Sequence, residues 1–166
     1  LRAQTGVAGE VEVLVIDSGS TDSTLDIVRS FPEVRLHEIP NSEFQHGRTR
    51  NLAAQLARGE FMVYLTHDAV PIGEHWLSGM LAPFAISDDI VAVVGKQVPR
   101  AGCFPLLKYE IRGVFGGLGP DGGVTLYQRP PGELDEAAVA GLGFYSDVNS
   151  AARRRVLLSS LPYREV

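Results

Sequence analysis

Two aspartates stand where a side chain could meet a ligand. Asp17 directly follows the apolar run of residues 11–16, and Asp68 comes soon after the apolar run of residues 61–65. Such runs predict buried strands, and ligands of open α/β sheets bind beyond the carboxyl ends of the strands. A carboxylate there can accept hydrogen bonds from a base or a sugar, and the start of a following helix favours phosphate. Each also has a structural interpretation: Asp17 could form an Asx turn, and Asp68 could cap a helix that begins near Gly73.

A cationic segment opens the second predicted helix. Arg48 and Arg50 lie in residues 46–51, HGRTRN. Their guanidinium groups could neutralise a diphosphate or pair with a base, although a solvated helix start explains them as well. Arginine in the first helical turn is disfavoured by the helix dipole. A compensating ligand or acid near these two side chains is therefore an alternative to a solvated helix start.

Two further places could bind a metal or an acceptor. His67 and Asp68 could take part in a divalent-metal site whose coordination is completed by phosphate oxygens of a ligand. Asp147 and Asn149 lie at another predicted junction of strand and helix, where they could contact an acceptor molecule. Helix capping by Asn149 or Ser150 explains the same residues equally well.

These side chains must be positioned by an alternation of strands and helices. Hydrophobic periodicity predicts strands at residues 11–17, 34–39, 61–66 and 90–95, and helices at 25–31, 48–58 and 76–84. This order predicts an α/β domain with a largely parallel sheet and right-handed crossovers. Residues 100–142 are rich in glycine and proline and predict a flexible loop region within the domain. A strand at 143–148 and a helix at 150–158 are expected after it, with the arginines at 153–155 on a solvated face.

Composition excludes several classes of protein. The chain has 166 residues, a length typical of one domain, and 45% of them are hydrophobic, which excludes a disordered chain. A net charge of −5 argues against a nucleic-acid partner. The one cysteine, Cys103, indicates a reducing cytoplasmic setting. Neither a P-loop nor a G-x-G-x-x-G follows the first strand, so a P-loop NTPase and a standard dinucleotide-binding dehydrogenase are poorly supported.

Taken together, five segments resemble family 2 glycosyltransferases of the rhamnosyltransferase-like branch. They are residues 15–24 (VIDSGSTDST), 44–51 (FQHGRTRN), 57–60 (ARGE), 65–71 (LTHDAVP) and 145–151 (YSDVNSA). The resemblance implies a GT-A fold, a Rossmann-like three-layer α/β sandwich with a mostly parallel central sheet. It also implies transfer of a sugar, such as rhamnose, from a nucleotide-diphosphate donor to an acceptor hydroxyl, with inversion, in the synthesis of a polysaccharide or cell-surface glycan.

The resemblance assigns roles to individual residues. Asp68 is expected to bind Mg²⁺ or Mn²⁺, and Thr66 stands where many members have the first aspartate of D-x-D. The catalytic base is expected beyond Val166, and family members begin with an apolar strand that would precede Leu1, so the chain is expected to be incomplete at both ends by comparison with the family. The donor-binding residues implied are Asp17, Ser18, Gly19, Ser20, Arg50 and Asp68, and those on the acceptor side are Asp147 and Asn149.

The implied acceptor is a glycan or a lipid-linked molecule, so the full-length protein is expected in the cytoplasm and peripherally at the cytoplasmic face of a membrane. Two other functions remain open. One is a non-catalytic module that binds a nucleotide sugar or a glycan. The other is a sugar nucleotidyltransferase, which ranks lower because residues 18–24 contain no lysine.

Overall fold

A parallel pair of strands joined by a helix opens the chain. The computed structural model describes residues 1–129, 132–133, 135–136, 145–146, 148–160 and 162–165. Its first elements are β1 (Val13–Asp17), α1 (Thr24–Arg29) and β2 (Val34–Glu38), as the sequence predicts. In the β1–β2 register Asp17 lies opposite Glu38. Since parallel strands run in the same direction, the loops that leave them lie side by side.

Helices and strands continue to alternate along the chain. The α-helices are α2 (His46–Leu56), α3 (Trp76–Leu81), α4 (Pro105–Gly116) and α5 (Arg154–Ser159). The strands are β3 (Phe61–Leu65), β4 (Ala92–Val94) and β5 (Asn149–Arg153). Short 3₁₀ turns occupy Asn41–Glu43 and Ala82–Ala85. Within the described residues no helix is long and apolar enough to cross a membrane.

The prediction of a mostly parallel central sheet is wrong for the second half of the chain. The described strands form two sheets, β1-β2 and β3-β5-β4. The central strand β5 is antiparallel to both of its neighbours. The structure therefore has the mixed helices and strands of an α/β protein. The predicted crossovers would make β3 and β4 parallel neighbours, but β5 lies between them.

Strand β5 also corrects the prediction of a helix at residues 150–158. Residues 149–153 are extended and all five are buried, and only α5 is helical. The alanines and arginines of this segment have better helix than strand propensity. Burial decides against that propensity, because Ser150, Ala151 and Ala152 are small enough to fit between two strands and two layers of side chains.

A helix lies inside the segment that was expected to be a loop. Helix α4 begins with Pro105 at its first helical position, where the missing N–H costs nothing. Phe115 is its buried residue. The sequence does not show a clear helical period here for two reasons. Glycines lie at the end of the segment, and large apolar side chains such as Leu106 and Tyr109 are on the exposed side of the helix.

Two apolar clusters form the core on opposite faces of β5. Ala152 packs in one cluster and Ala151 in the other, as the alternation of side chains along a strand requires. The first cluster also contains Ala54, Ala57, Met62, Tyr64 and Leu157, and the second also contains Met80 and Phe84. Helix α2 is thus fixed to one face of the sheet and helix α3 to the other.

Arg153 ends β5 and is buried, with 4% of its surface exposed, so the expectation of a solvated arginine face is wrong for this residue, whereas Arg155 is exposed as predicted. Its Nε donates to the carbonyl of Ile90 at 3.0 Å, and its Nη2 donates to the carbonyl of Phe84 at 3.1 Å. The guanidinium lies 5.3 Å from the ring centroids of both Phe61 and Phe84. The exposed carboxylates of Glu60 and Asp88 approach it at 3.5 and 3.3 Å. One side chain therefore joins β5 to the turn that leads into β4.

Replacing Arg153 by methionine is expected to lower the free energy of unfolding by about 2–4 kcal/mol, because buried carbonyl groups lose charged donors. Urea unfolding followed by circular dichroism measures this loss. Arg155→Met is the matched control, since Arg155 is exposed on α5 and the substitution removes the same charge. Equal losses in the two variants would show that the buried contacts of Arg153 do not support the fold.

Candidate functional site

The loop after β1 is folded around the carboxylate of Asp17. Oδ1 accepts the backbone N–H groups of Gly19 and Ser20, each at 3.0 Å, and Oδ2 accepts the hydroxyl of Ser20. Only 7% of Asp17 is exposed. The Ser20 hydroxyl, followed by the backbone N–H groups of Ser20 and Gly19, holds the pKa of Asp17 below its ordinary value. The side chain is therefore an ionised acceptor that shapes the loop.

Asn41 ties this loop to the end of β2. Its Nδ2 donates to the carbonyl of Ser18 at 3.0 Å, and its Cβ lies close to Gly19, whose φ of +97° favours glycine. Sequence reasoning missed Asn41. The signal that could have found it is its place just after a strand predicted to lie beside β1. The predicted donor residues Asp17, Ser18, Gly19 and Ser20 thus form one hydrogen-bonded turn, which Asn41 supports.

Asp68 has a different environment, although it also follows a strand. Its carboxylate is exposed and accepts the hydroxyl of Thr66 at 2.7 Å. This hydrogen bond is the main reason that the pKa of Asp68 lies below its ordinary value. Arg100 donates through Nη2 to the backbone carbonyl of Asp68, and its charge lowers the same pKa further. Asp68 is therefore an ionised, accessible carboxylate with a guanidinium beside it.

Arg100 is a second residue that sequence reasoning missed. It follows β4 by six positions and reaches Asp68 across a separation of 32 residues. No local sequence pattern indicates such a contact, because Arg100 and Asp68 are 32 positions apart. The structure therefore adds a cation to the end of β3 where the sequence showed only an acid and a histidine.

The residues at this end of β3 fit one divalent cation if a ligand supplies further oxygens. Within the described ranges, no group of three or more histidine, cysteine, aspartate or glutamate side chains could hold a metal ion. Magnesium is commonly bound by one or two carboxylates together with substrate phosphates and water. The single exposed carboxylate of Asp68 meets that requirement.

Arg50 lies on the first turns of α2. It donates through Nη1 to the carbonyl of His46 at 2.8 Å, and its guanidinium lies 5.8 Å from the ring centroid of Tyr163. Arg48, on the same helix, lines a cavity of about 340 Å³ together with Glu43 of the 3₁₀ turn and Glu165. The cationic segment predicted from the sequence thus lies on a helix that touches the C-terminal residues of the chain.

Asn149 is held inside the fold. Its Oδ1 accepts Trp76 Nε1 at 3.0 Å, and its Nδ2 lies 3.4 Å from the carbonyl of Lys96. A Cβ on Gly95 would come within 2.2 Å of this amide, so the contact depends on a glycine. Helix capping by Asn149 or Ser150 is wrong, because both residues lie in β5. The acceptor-side role of Asn149 stays a prediction, and Asp147 lies outside the described residues.

Asp17→Asn is expected to destabilise the protein by about 1–3 kcal/mol near neutral pH, since two backbone N–H groups and a hydroxyl lose an ionised acceptor. The folded-state pKa of Asp17 is lowered, so its contribution is complete above the ordinary carboxyl pKa and is lost as the pH falls through the folded-state value. The difference from wild type should therefore shrink from about pH 7 to about pH 3 in urea unfolding. Glu10→Gln, an exposed change of equal charge, serves as control; a constant difference across this range would contradict the interpretation.

Comparison with known proteins supplies the family. Two curated rhamnosyltransferases align with the chain, one over 97 residues and the other over 96. Each alignment covers 57% of this chain and 30% of the relative. One is the O-antigen chain rhamnosyltransferase RfbN of Salmonella typhimurium strain LT2, at 33% identity, and the other is the O-antigen chain rhamnosyltransferase WbaN of Salmonella anatum, at 36%. The chain therefore spans about a third of the length of these relatives. The family described as Glycosyl transferase family 2 matches residues 1–158, and this chain belongs to it.

Proposed function

We propose that this chain is the donor-binding part of a glycosyltransferase that transfers a sugar from a nucleoside diphosphate to a hydroxyl group. One observation carries the proposal: the family matches residues 1–158, which include both strand-end aspartates. The names of the two relatives support rhamnose as the sugar and a growing glycan as the acceptor. A glycan or lipid-linked acceptor would place the full-length protein in the cytoplasm, at the face of the membrane.

The turn after β1 is suited to the nucleoside. Asp17 uses three acceptor positions within its own turn, and a carboxylate offers about four. One position remains for a base N–H or a ribose hydroxyl. The larger contribution of Asp17 is to fix Ser18, Gly19 and Ser20. The remaining acceptors of the turn, such as the oxygen of the Ser20 hydroxyl, are then already ordered when a ligand binds.

The end of β3 is suited to the diphosphate. Asp68 would hold Mg²⁺ or Mn²⁺, which supplies electrostatic stabilisation of the departing diphosphate when bound. Thr66 orients the Asp68 carboxylate by its hydrogen bond, and Arg100 adds a permanent positive charge beside it. Arg50 offers a further guanidinium for the base or the diphosphate. These local cations let a chain of net charge −5 bind an anionic donor.

The chemistry requires a single displacement at the anomeric carbon. The bond from that carbon to the diphosphate oxygen breaks, the acceptor oxygen forms a new bond from the opposite face, and the acceptor proton passes to a base. Inversion follows from this geometry. In this proposal the described residues bind and orient the donor and stabilise the leaving group, and the base is left unassigned.

Addition of dTDP or UDP with Mn²⁺ is expected to raise the melting temperature of the protein. The rise should be roughly 5–10 °C when the nucleotide is present at about 100 times its Kd. Asp68→Ala should abolish the part of this rise that depends on the metal, because it removes the one accessible carboxylate at the end of β3. The control is Asp89→Ala, an exposed aspartate outside the proposed site. No rise with either nucleotide, with or without metal, would contradict the proposal.

The full-length protein is expected to transfer rhamnose from dTDP-rhamnose to a lipid-linked glycan, with release of dTDP. Chromatography of the glycan product together with an assay of released dTDP measures the reaction. Tight binding of dTDP with neither transfer nor hydrolysis would instead favour a non-catalytic binding module.

A further inference from the structure

The C-terminal segment at residues 162–165 is fastened to α2 by the side chain of Asn51. Asn51 Nδ2 donates to the carbonyl of Tyr163 at 2.9 Å, and Tyr163 N–H donates to Asn51 Oδ1 at 2.8 Å. The Asn51 amide group thus donates one hydrogen bond to the Tyr163 backbone and accepts one from it, as a residue of a neighbouring strand would. Nδ2 also donates to Glu165 Oε1 at 2.8 Å. Both hydrogens of the Asn51 amide group are therefore used by a segment 112 residues away.

The backbone of α2 approaches the same segment closely. A Cβ added to Gly47 would lie 2.0 Å from the carbonyl oxygen of Arg164. Gly47 lies within α2 and does not have a positive φ, so its conformation does not call for glycine. Glycine at this position is explained by the space that Arg164 needs. Helix α2 thus provides a flat contact surface at Gly47 and a polar anchor at Asn51.

The ring of Tyr163 is held between the core and Arg50. It meets the ring of Tyr64 edge-on, with centroids 5.4 Å apart, and it packs against the first apolar cluster. The Tyr64 hydroxyl donates to the carbonyl of Arg50 at 3.0 Å. Arg50 places its guanidinium over the other ring, 5.8 Å from its centroid. Two successive residues of α2 therefore contact Tyr163, Arg50 through the ring and Asn51 through the backbone.

We propose that Asn51 is a positioning residue that docks residues 162–165 on α2, and that donor binding at Arg50 is transmitted to this segment through Tyr163. The second half rests on the proposed function, because it requires a nucleoside diphosphate at Arg50. A donor that attracts the Arg50 guanidinium changes its contact with the Tyr163 ring, while Asn51 keeps the backbone attached. Glu165, which lines the cavity with Arg48, is held in place by the same docking.

The docking is tested by the exchange rate of the Tyr163 amide hydrogen, measured by NMR. Asn51→Ala removes its acceptor and should accelerate exchange about tenfold. Gly47→Ala should do the same by displacing Arg164, even though alanine raises the helix propensity of α2. The control is Gln55→Ala, an exposed residue one turn further along α2 that lines the same cavity. Unchanged exchange in Asn51→Ala or Gly47→Ala, with the protein folded by circular dichroism, would overturn the docking.

The coupling is tested by adding dTDP or UDP with Mn²⁺ to the wild type and to Asn51→Ala, with binding measured by calorimetry. The wild type should change its Tyr163 exchange rate by about threefold or more on saturation, as expected when a local opening equilibrium shifts. Asn51→Ala should bind the nucleotide with a similar Kd but show no such change. A wild type that binds without altered exchange would overturn the coupling. If neither nucleotide binds, the coupling falls with the proposed function, and the docking is judged from the exchange rates of the variants alone.

Discussion

The burial of β5 is the constraint on which the second half of the fold depends. The strand is covered on both faces and carries a polar side chain at each end, so it can lie between β3 and β4 only if both groups find partners. Asn149 is satisfied by Trp76 and by the backbone after β4, and Arg153 by backbone carbonyls of the turn before β4. These two contacts fix α3 and β4 relative to β3. The loops that follow β3 and β4, which carry Asp68 and Arg100, are positioned as a consequence.

The two strand-end aspartates show how one residue type takes two roles. Asp17 is buried, and its carboxylate accepts hydrogen bonds mainly from its own turn. These hydrogen bonds stabilise the conformation of Ser18, Gly19 and Ser20. Asp68 is exposed and has one hydroxyl partner, Thr66, which leaves oxygen positions free for a cation or a ligand. The sequence pattern, an aspartate after an apolar strand, is the same for both residues. Burial and the number of hydrogen-bond donors from the protein distinguish them: Asp17 shapes the turn, whereas Asp68 can bind a cation or a ligand.

Helix α2 links the regions that the sequence presents as separate. Its buried alanine, Ala54, packs with β3 and α5, while Arg50 and Asn51 face the C-terminal segment through Tyr163. Asn51 and Ala54 are three residues apart and share one face of the helix. The core and the C-terminal segment therefore hold the same face of α2, while Arg48 stays exposed. This arrangement explains why a helix with an unfavourable arginine in its first turn is stable: tertiary contacts contribute what the dipole opposes.

Much of the fold and part of the site could be predicted from residue order. Apolar periodicity located β1 to β4 and the helices between them, and the strand ends located Asp17 and Asp68, because local burial leaves a local pattern. Tertiary structure alone decided that residues 149–153 form a strand, that Arg153 is buried, and that Arg100 and Asn41 support the site. It also decided the pairing of Asn51 with Tyr163. The physical reason is common to these cases: each depends on a partner brought close only by packing of the whole chain, and intrinsic propensity is too weak to oppose that packing.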